Sequence, residues 1–169
     1  MKFLKVLVMS VAFTASLIGT QRLMATDAFP DGLIRFSEKE DGSGVQCSVP
    51  VRTGDYLFNT EGAYDCPNDK MNYFQLDGAP SATYFTLYSD SDEDKRECQE
   101  ASGVRYGWKY TFFTIKHPTT TRWIKIDELH PRKFGEIVVA GVVLSEKHEE
   151  TGDRIDELTC VKIKRSALP

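Results

Sequence analysis

The sequence has few of the residue patterns on which metal and catalytic sites depend. Its three histidines, His117, His130 and His148, stand 13 and 18 residues apart, and no HExxH motif joins any of them. No GxSxG motif occurs either, and no nucleophile stands beside a partner base, the arrangement that covalent catalysis needs. The sequence therefore predicts that the protein is not an enzyme.

The sequence also lacks an apolar run long enough to cross a bilayer, which takes about 20 residues. Its main apolar stretch, Val6–Gly19, follows a lysine-containing start and has the proportions of a signal-peptide core. Cleavage after Ala25 or after Ala28 fits the small residues there, and we prefer Ala25. We therefore expect a signal peptide over residues 1–25, export to the periplasm or the medium, and no membrane insertion after cleavage.

Acidic residues outnumber basic ones in the chain that remains. Residues 1–25 hold Lys2, Lys5 and Arg22 but no acid, so removing them changes the formal net charge from −4 to −7. An acidic surface disfavours nucleic acids and anionic membranes as partners. The length of residues 26–169 corresponds to one domain.

The cysteines indicate disulfides rather than a metal. Their spacings of 19, 32 and 62 residues lack the short paired gaps of a structural zinc site. An even number of cysteines in an exported chain predicts two disulfides, with three possible connectivities. The four residues are Cys47, Cys66, Cys98 and Cys160.

Helical periodicity is nearly absent after the signal segment, and short strand-like runs replace it. These runs are rich in aromatic and β-branched residues and are bounded by Gly, Pro, Asn and Asp. The predicted strands are Leu33–Ser37, Val45–Val51, Tyr56–Asn59, Met71–Leu76, Thr83–Tyr88, Arg105–Lys116, Thr121–Ile126, Glu136–Ser145 and Leu158–Lys164. The aromatic residues at alternate positions from Tyr106 to Phe112 share one face, which we expect to be core. The pattern predicts an all-β chain, most simply a two-sheet sandwich.

The chain shows an internal repeat. Aligning Phe36–Glu38 with Leu87–Ser89, an offset of 51 residues, also places Cys47 on Cys98. The ends of the two copies, around Asp69 and Asp156, are 87 residues apart, so the second copy has 36 extra residues. We expect these to form an insertion at about residues 101–151 that includes a long hairpin.

The repeated pattern resembles the Greek-key motif of the βγ-crystallins. The segments FTLYSD (Phe85–Asp90) and NDKMNYFQL (Asn68–Leu76) match that motif best, and IDELTCVKI (Ile155–Ile163) matches it more loosely. The resemblance implies one Greek-key sandwich domain over residues 26–169. Motif one would span about 32–77 and motif two about 82–165.

The resemblance also implies a disulfide pairing. Cys47 with Cys66, and Cys98 with Cys160, is the connectivity that keeps each disulfide within one motif. We prefer it over the two crossed pairings.

A calcium site is a further implication of the resemblance, since many microbial members bind calcium through paired Asn or Asp residues and nearby hydroxyls. Asn68 and Asp69 would supply ligands, with Asn72 standing where the family has a hydroxyl, and Asp90 and Asp92 would reach the ion from the second motif. Calcium takes six to eight oxygen ligands, which suits this set. The alternative is that the acidic run is a solvent-exposed hairpin tip.

The resemblance favours a protein that acts by binding, because secreted microbial proteins of similar fold include protease inhibitors and small toxins. The leading hypothesis is an exported, disulfide-bonded inhibitor or interaction module whose partner is another protein. The second is a calcium-stabilised structural protein of the envelope, and the third is a small secreted enzyme or toxin. The inserted segment distinguishes the first two: a protruding hairpin with exposed aromatic residues would favour binding, and a segment that only pads the sandwich would favour a structural role.

Overall fold

The computed structural model describes residues 31–58, 64–89, 98, 107–149 and 158–166. The expected signal peptide lies outside these residues. The described chain forms ten β-strands and one short 3-10 helix, Ile126–Leu129. The strands are β1 (Leu33–Ser37), β2 (Gln46–Pro50), β3 (Gly54–Leu57), β4 (Tyr73–Asp77), β5 (Thr83–Ser89), β6 (Trp108–Thr114), β7 (Ile124–Lys125), β8 (Ile137–Val139), β9 (Val142–Glu149) and β10 (Leu158–Arg165).

Apolar residues at alternate positions decide which face of each strand is buried. In β6, Trp108, Tyr110 and Phe112 are buried in the core, while Phe113 points to the opposite face. The prediction that these alternating aromatic residues form core is confirmed for the three that the structure describes. Tyr106 lies outside the described residues.

The strands form two antiparallel sheets. The small sheet has the order β2-β1-β4-β7, and the large sheet has the order β3-β10-β5-β6-β9-β8. Each half of the chain gives one strand to the other half's sheet, because β3 joins the large sheet beside β10 and β7 joins the small sheet beside β4.

The two sheets pack face to face over one core. The ring of Phe74, on β4, lies 5.9 Å from that of Phe85 and 5.3 Å from that of Phe112, measured between ring centroids. Phe85 and Phe112 belong to the large sheet, so these contacts cross the interior. The prediction of an all-β chain with two packed sheets is confirmed at this level.

The strand register supports the repeat at its first and last strands. Phe36 lies opposite Phe74 in the small sheet, and Leu87 lies opposite Val161 in the large sheet. The offsets of 51 residues (36 to 87) and 87 residues (74 to 161) therefore agree with the sequence alignment.

The same register corrects the alignment of the cysteines. Phe36 lies opposite Cys47, but Leu87 lies opposite Tyr110. Cys98 is therefore not the structural counterpart of Cys47. The connection from β5 to β6 is longer than that from β1 to β2, which moves the second strand of the second half further along the chain.

The insertion expected at about residues 101–151 is not one added block. It contains β6 and β7, which pair with β5 and β4 as integral strands of the two sheets. Among the described residues of this stretch, the added elements are the 3-10 helix and the β8–β9 pair, which widens the large sheet beside β6. The predicted strand Glu136–Ser145 is two strands, because Gly141 adopts a φ of 90° and reverses the chain between them.

Threonines hold the turn that joins the two halves. The backbone of Ala79, between β4 and β5, exchanges two hydrogen bonds with the backbone of Thr119, at 2.9 and 2.7 Å. The Leu76 N–H donates to the Thr121 hydroxyl at 3.0 Å. This turn therefore depends on residues that follow β6.

Candidate binding face

The outer face of the large sheet, which points away from the core, carries a row of side chains from four adjacent strands. Lys164 on β10 lies opposite Tyr84 on β5, and Tyr84 lies opposite Phe113 on β6. Phe113 in turn lies opposite Val143 on β9. Since Phe85, next to Tyr84, is buried in the core, the alternation of side chains points this row outwards.

The end of this face near β8 and β9 is apolar. It holds an open hollow of about 590 Å³ that is lined in part by Ile115 and Phe134, and Ile137 lies opposite the lining residue Val143. Ile115 is 54% exposed, Phe134 is 74% exposed, and Ile137, opposite Val143 in the register, is 59% exposed. The Tyr84 ring, 44% exposed, lies at the inner margin of the same hollow. We call this region the apolar end of the outer face.

The end of the outer face near β10 is polar and cationic. A second hollow, of about 340 Å³, shares Tyr84 with the first and is lined by Lys162 and Lys164. No ion pair joins either lysine to an acid within the described part of the chain, although Asp55 lies opposite Lys162 in the register. We call this region the lysine end.

Threonines and one ion pair occupy the middle of the face. The hydroxyls of Thr86 and Thr111 are 3.1 Å apart. Glu146 accepts a 2.8 Å hydrogen bond from Lys109 Nζ, so that its carboxylate is already paired. The middle therefore separates the lysine end from the apolar end with groups whose polar atoms have partners.

A disulfide closes one side of the face. Tyr88 points to the same side of β5 as Tyr84, yet it is only 1% exposed, because it packs with Cys98 and Cys160 in a small second core. The Cα atoms of Cys98 and Cys160 are 5.7 Å apart in this disulfide. The disulfide therefore contributes to the burial of Tyr88.

Both disulfides have the pairing preferred from the sequence. Cys47, on β2, pairs with Cys66, just before β4, with their Cα atoms 5.2 Å apart. Both Cα separations fall in the usual range for disulfides. No free cysteine is left in the described chain.

A cluster around Glu149 fastens the end of β9 to the 3-10 helix. The Glu149 carboxylate accepts hydrogen bonds from the buried Tyr110 hydroxyl, from His130 Nδ1 at 2.9 Å and from Lys147 Nζ at 3.1 Å. Burial would raise the pKa of Glu149, but these hydrogen bonds outweigh it and hold the pKa below its ordinary value of 4.5. The cluster therefore favours a charged, structural carboxylate rather than a proton donor at neutral pH.

The structure brings only part of the expected calcium set together. Asn68 Nδ2 donates to Asp69 Oδ2 at 2.5 Å, and Asn68 Oδ1 is buried without a hydrogen-bond partner. Asn72 is tied through its backbone to Ser37 and Ile126, at 3.1 and 2.9 Å.

The remaining expected ligands, Asp90 and Asp92, lie outside the described residues. Within the residues that the structure describes, no group of three or more His, Cys, Asp and Glu side chains is placed to hold a metal ion. The orphaned oxygen of Asn68 fits a cation, because calcium prefers neutral and anionic oxygens, but the described residues do not complete a coordination shell.

Sequence reasoning did not find the outer face. It placed Tyr84 and Phe113 in strands and assigned them no role. The available signal was that both side chains alternate with core residues and so had to point away from the core. What joins them into a surface is the pairing of β5 with β6 and of β6 with β9.

Comparisons with protein-family models, with curated proteins and with solved structures find no match for this chain. In the ranges that the structure covers, no helix has both the length and the apolar character to cross a membrane.

Proposed function

We propose that this chain is an exported, disulfide-bonded binding module that holds another protein against the outer face of its large sheet. The observation that carries the proposal is that three exposed residues, Tyr84, Ile115 and Phe134, line one hollow of that face. The exposed Ile137 lies opposite Val143 of the same hollow. Single exposed apolar residues are ordinary, but contiguous patches mark interaction sites. If the partner is a protease, the module acts as an inhibitor. If the partner is another kind of protein, the module acts as an adaptor.

The elements added to the second half favour binding over a structural role. The β8–β9 pair widens the large sheet, as padding would. It also brings two exposed side chains to the face, because Phe134 precedes β8 and Ile137 begins it. Padding alone gives no reason to leave large apolar side chains in water.

Export is part of the proposal. Two disulfides are typical of proteins that fold in an oxidising compartment. The apolar run at residues 6–19, after a basic start, has the proportions of a cleavable signal peptide. The periplasm and the medium are therefore the proposed locations.

We also propose that the domain, over residues 26–169, is of the βγ-crystallin Greek-key type. In a Greek key the fourth strand returns to lie beside the first. Here β4 lies beside β1, and β10 lies beside β5, while the third strand of each half crosses to the other sheet. This matching arrangement of the two halves supports the assignment.

The second candidate function is a calcium-stabilised structural protein of the envelope. The observation that favours it is Asn68 Oδ1, a buried oxygen with no hydrogen-bond partner beside the Asp69 carboxylate. Asn68 and Asp69 would hold the ion together with Asn72, Asp90 and Asp92. In this role the ion would offset the repulsion between acidic groups and fasten the two halves together.

Retention of a partner from a native extract tests the binding proposal. The immobilised mature chain is compared with a Phe134→Ser/Ile137→Ser variant and with Val45→Ser. Val45 is 40% exposed but lies in the connection between β1 and β2, away from the large sheet.

We expect the wild-type chain and Val45→Ser to retain the same protein, and the double variant to lose it. All three should give the same circular dichroism spectrum, since the replaced side chains are largely exposed. Equal retention by all three proteins would contradict the proposal.

A further inference from the structure

We infer that the outer face receives an acidic peptide segment of its partner, with carboxylates at the lysine end and apolar side chains at the apolar end. The inference rests on the proposed function, because it names the chemistry of the partner for the same face. It requires the two ends to act together, each on a different part of one extended segment.

The lysine end supplies the charge complementarity. Lys162 and Lys164 are neighbours on the outer side of β10, and neither forms an ion pair with an acid in the described residues. The chain as a whole has a net charge of −4, so two neighbouring lysines that form no ion pair within the described residues are a local exception to its general charge. Local potentials of this kind steer a ligand of opposite sign and fix its orientation.

The cationic region is too small for a uniformly anionic polymer. Asp55 lies opposite Lys162 on one side, and Glu146 lines the same hollow as the two lysines on the other. A nucleic acid or an acidic polysaccharide would place further negative charges against these carboxylates, which costs free energy. One or two carboxylates at the lysines avoid that repulsion.

The apolar end fits side chains rather than sugar hydroxyls or a free acyl chain. Phe113, Ile115 and Phe134 offer no side-chain hydrogen-bond donor or acceptor for hydroxyl groups. The Thr111 and Ser145 hydroxyls also line the hollow, but each already has a hydrogen-bond partner within the sheet. Small-molecule sites usually bury most of the ligand surface. Phe134, at 74% exposure, leaves this hollow open to solvent. The exposed side of a bound ligand would therefore have to be covered by the rest of the partner, as happens for a segment attached to a folded protein.

The strand spacing sets the distance between the two ends. Lys164 on β10 and Val143 on β9 are separated by three strand intervals, through Tyr84 and Phe113. Neighbouring strands are about 4.8 Å apart, so the ends are about 14 Å apart. An extended peptide rises about 3.3 Å per residue, so carboxylate and apolar side chains should be about four residues apart.

Fluorescence anisotropy with labelled synthetic peptides tests the inference. The first probe is an acetylated peptide with two glutamates, a three-residue serine–glycine spacer, a leucine and a phenylalanine. The second probe has glutamine for glutamate, and the third has alanine for leucine and phenylalanine. The proteins are the wild-type chain, Lys162→Glu/Lys164→Glu, and a control of equal charge change, Lys39→Glu/Lys70→Glu.

We expect the first probe to bind the wild-type chain and the control equally, and to bind Lys162→Glu/Lys164→Glu about tenfold more weakly, because reversing those charges turns attraction into repulsion. The second and third probes should each bind the wild-type chain more weakly than the first. Added salt should weaken binding of the first probe and leave binding of the second nearly unchanged, because only the first probe makes charge contacts.

Three outcomes overturn the inference. The first is no binding of any probe at about millimolar concentration. The second is that Lys162→Glu/Lys164→Glu and Lys39→Glu/Lys70→Glu weaken binding of the first probe equally. The third is lysine-dependent binding of polygalacturonate or of phosphatidylglycerol vesicles in the absence of peptide binding.

The failure of this inference is distinct from that of the proposed function. If Lys162→Glu/Lys164→Glu retains the extract partner and Phe134→Ser/Ile137→Ser loses it, the face binds a protein but not through an acidic segment. If both variants retain the partner, the proposed function itself is wrong.

Discussion

Tyr84 and Phe113 lie side by side on the outer face of the large sheet, with ring centroids 4.5 Å apart and ring planes inclined by 36°. They belong to neighbouring strands and point away from the core, so their contact is not part of the packing between the two sheets. Aromatic pairs contribute about 0.5–1.5 kcal/mol beyond the area they bury. Tyr84 lines both hollows of the outer face and Phe113 lines the one at the apolar end, so the pair lies where the two hollows adjoin.

The two disulfides should differ in their contribution to stability. In the chain-entropy account, closing 62 residues between Cys98 and Cys160 contributes about 4 kcal/mol, and closing 19 residues between Cys47 and Cys66 contributes about 3 kcal/mol. We therefore expect the Cys98→Ala/Cys160→Ala variant to lose about 1 kcal/mol more free energy of unfolding than Cys47→Ala/Cys66→Ala. Urea denaturation of both variants under one condition measures the difference.

Peptide mapping under non-reducing conditions is the control for this comparison, since it shows which cysteines pair in the folded protein. A smaller loss for the longer loop would contradict the prediction, and crossed pairs in the map would contradict the connectivity.

The Glu149 cluster should make stability depend on pH. The pKa of Glu149 is lower in the folded chain than its ordinary value of 4.5, so its contribution is present above about pH 4.5 and is lost as the pH falls through the folded value. Tyr110→Phe removes a donor to this carboxylate, which should cost about 1–3 kcal/mol at neutral pH. It should also start the acid loss at a higher pH, because the folded pKa rises. Urea unfolding from pH 3 to pH 7 would show both effects.

Glu149→Gln is the matched control, since glutamine does not ionise. The difference in stability between this variant and the wild-type chain should shrink as the pH falls below about 4.5. An identical pH dependence in Tyr110→Phe and the wild-type chain would show that the hydrogen bond does not hold the pKa down.

Local patterns in the sequence located the described strands, although β8 and β9 were predicted as one strand and most bounds differ by one to three residues. The predicted bounds of Leu33–Ser37 match β1, and the alternation of Trp108, Tyr110 and Phe112 identified a core face. The hairpin at Gly141 was missed because the residues around it are continuously apolar, which is also what a single buried strand looks like. The signal was the Ala-Gly dipeptide at 140–141, between two valine-rich runs.

Local patterns did not predict which strands pair or which of their residues lie opposite one another. The cysteine offset aligned Cys47 with Cys98, yet the strand register gives Tyr110 as the counterpart, because loop length and not residue type sets which residues lie opposite. The outer face was missed for the same reason. Tyr84 and Phe134 line one hollow because β5, β6 and β9 are neighbours, and no single strand's sequence specifies the order of the strands.

Calcium should raise the melting temperature if Asn68 and Asp69 hold the ion. A ligand at a hundredfold excess over its Kd stabilises the native state by about 2.7 kcal/mol. In a domain of this size that is a rise on the order of 5–10 °C. Asp69→Ala should abolish the rise, whereas Asp156→Ala, at the position 87 residues later in the repeat, should keep most of it.

Melting curves of the chelator-treated protein, with and without millimolar calcium, measure this effect. Magnesium at the same concentration is the control, because it demands a tighter octahedral shell. An unchanged melting temperature on adding calcium would show that Asn68 and Asp69 form a turn and do not bind the metal.

Site-directed photo-crosslinking tests the binding face most directly. A photoactivatable benzoyl-phenylalanine replaces Phe134 in one variant and Tyr84 in a second, and replaces Val45 in a control, in cells that export the protein. Tyr84, at 44% exposure, is matched in accessibility to the control Val45, at 40%, whereas Phe134 is more exposed, at 74%. The account predicts the same crosslinked protein from positions 134 and 84 and none from position 45. Crosslinks of equal yield at all three positions, or at none of them, would contradict it.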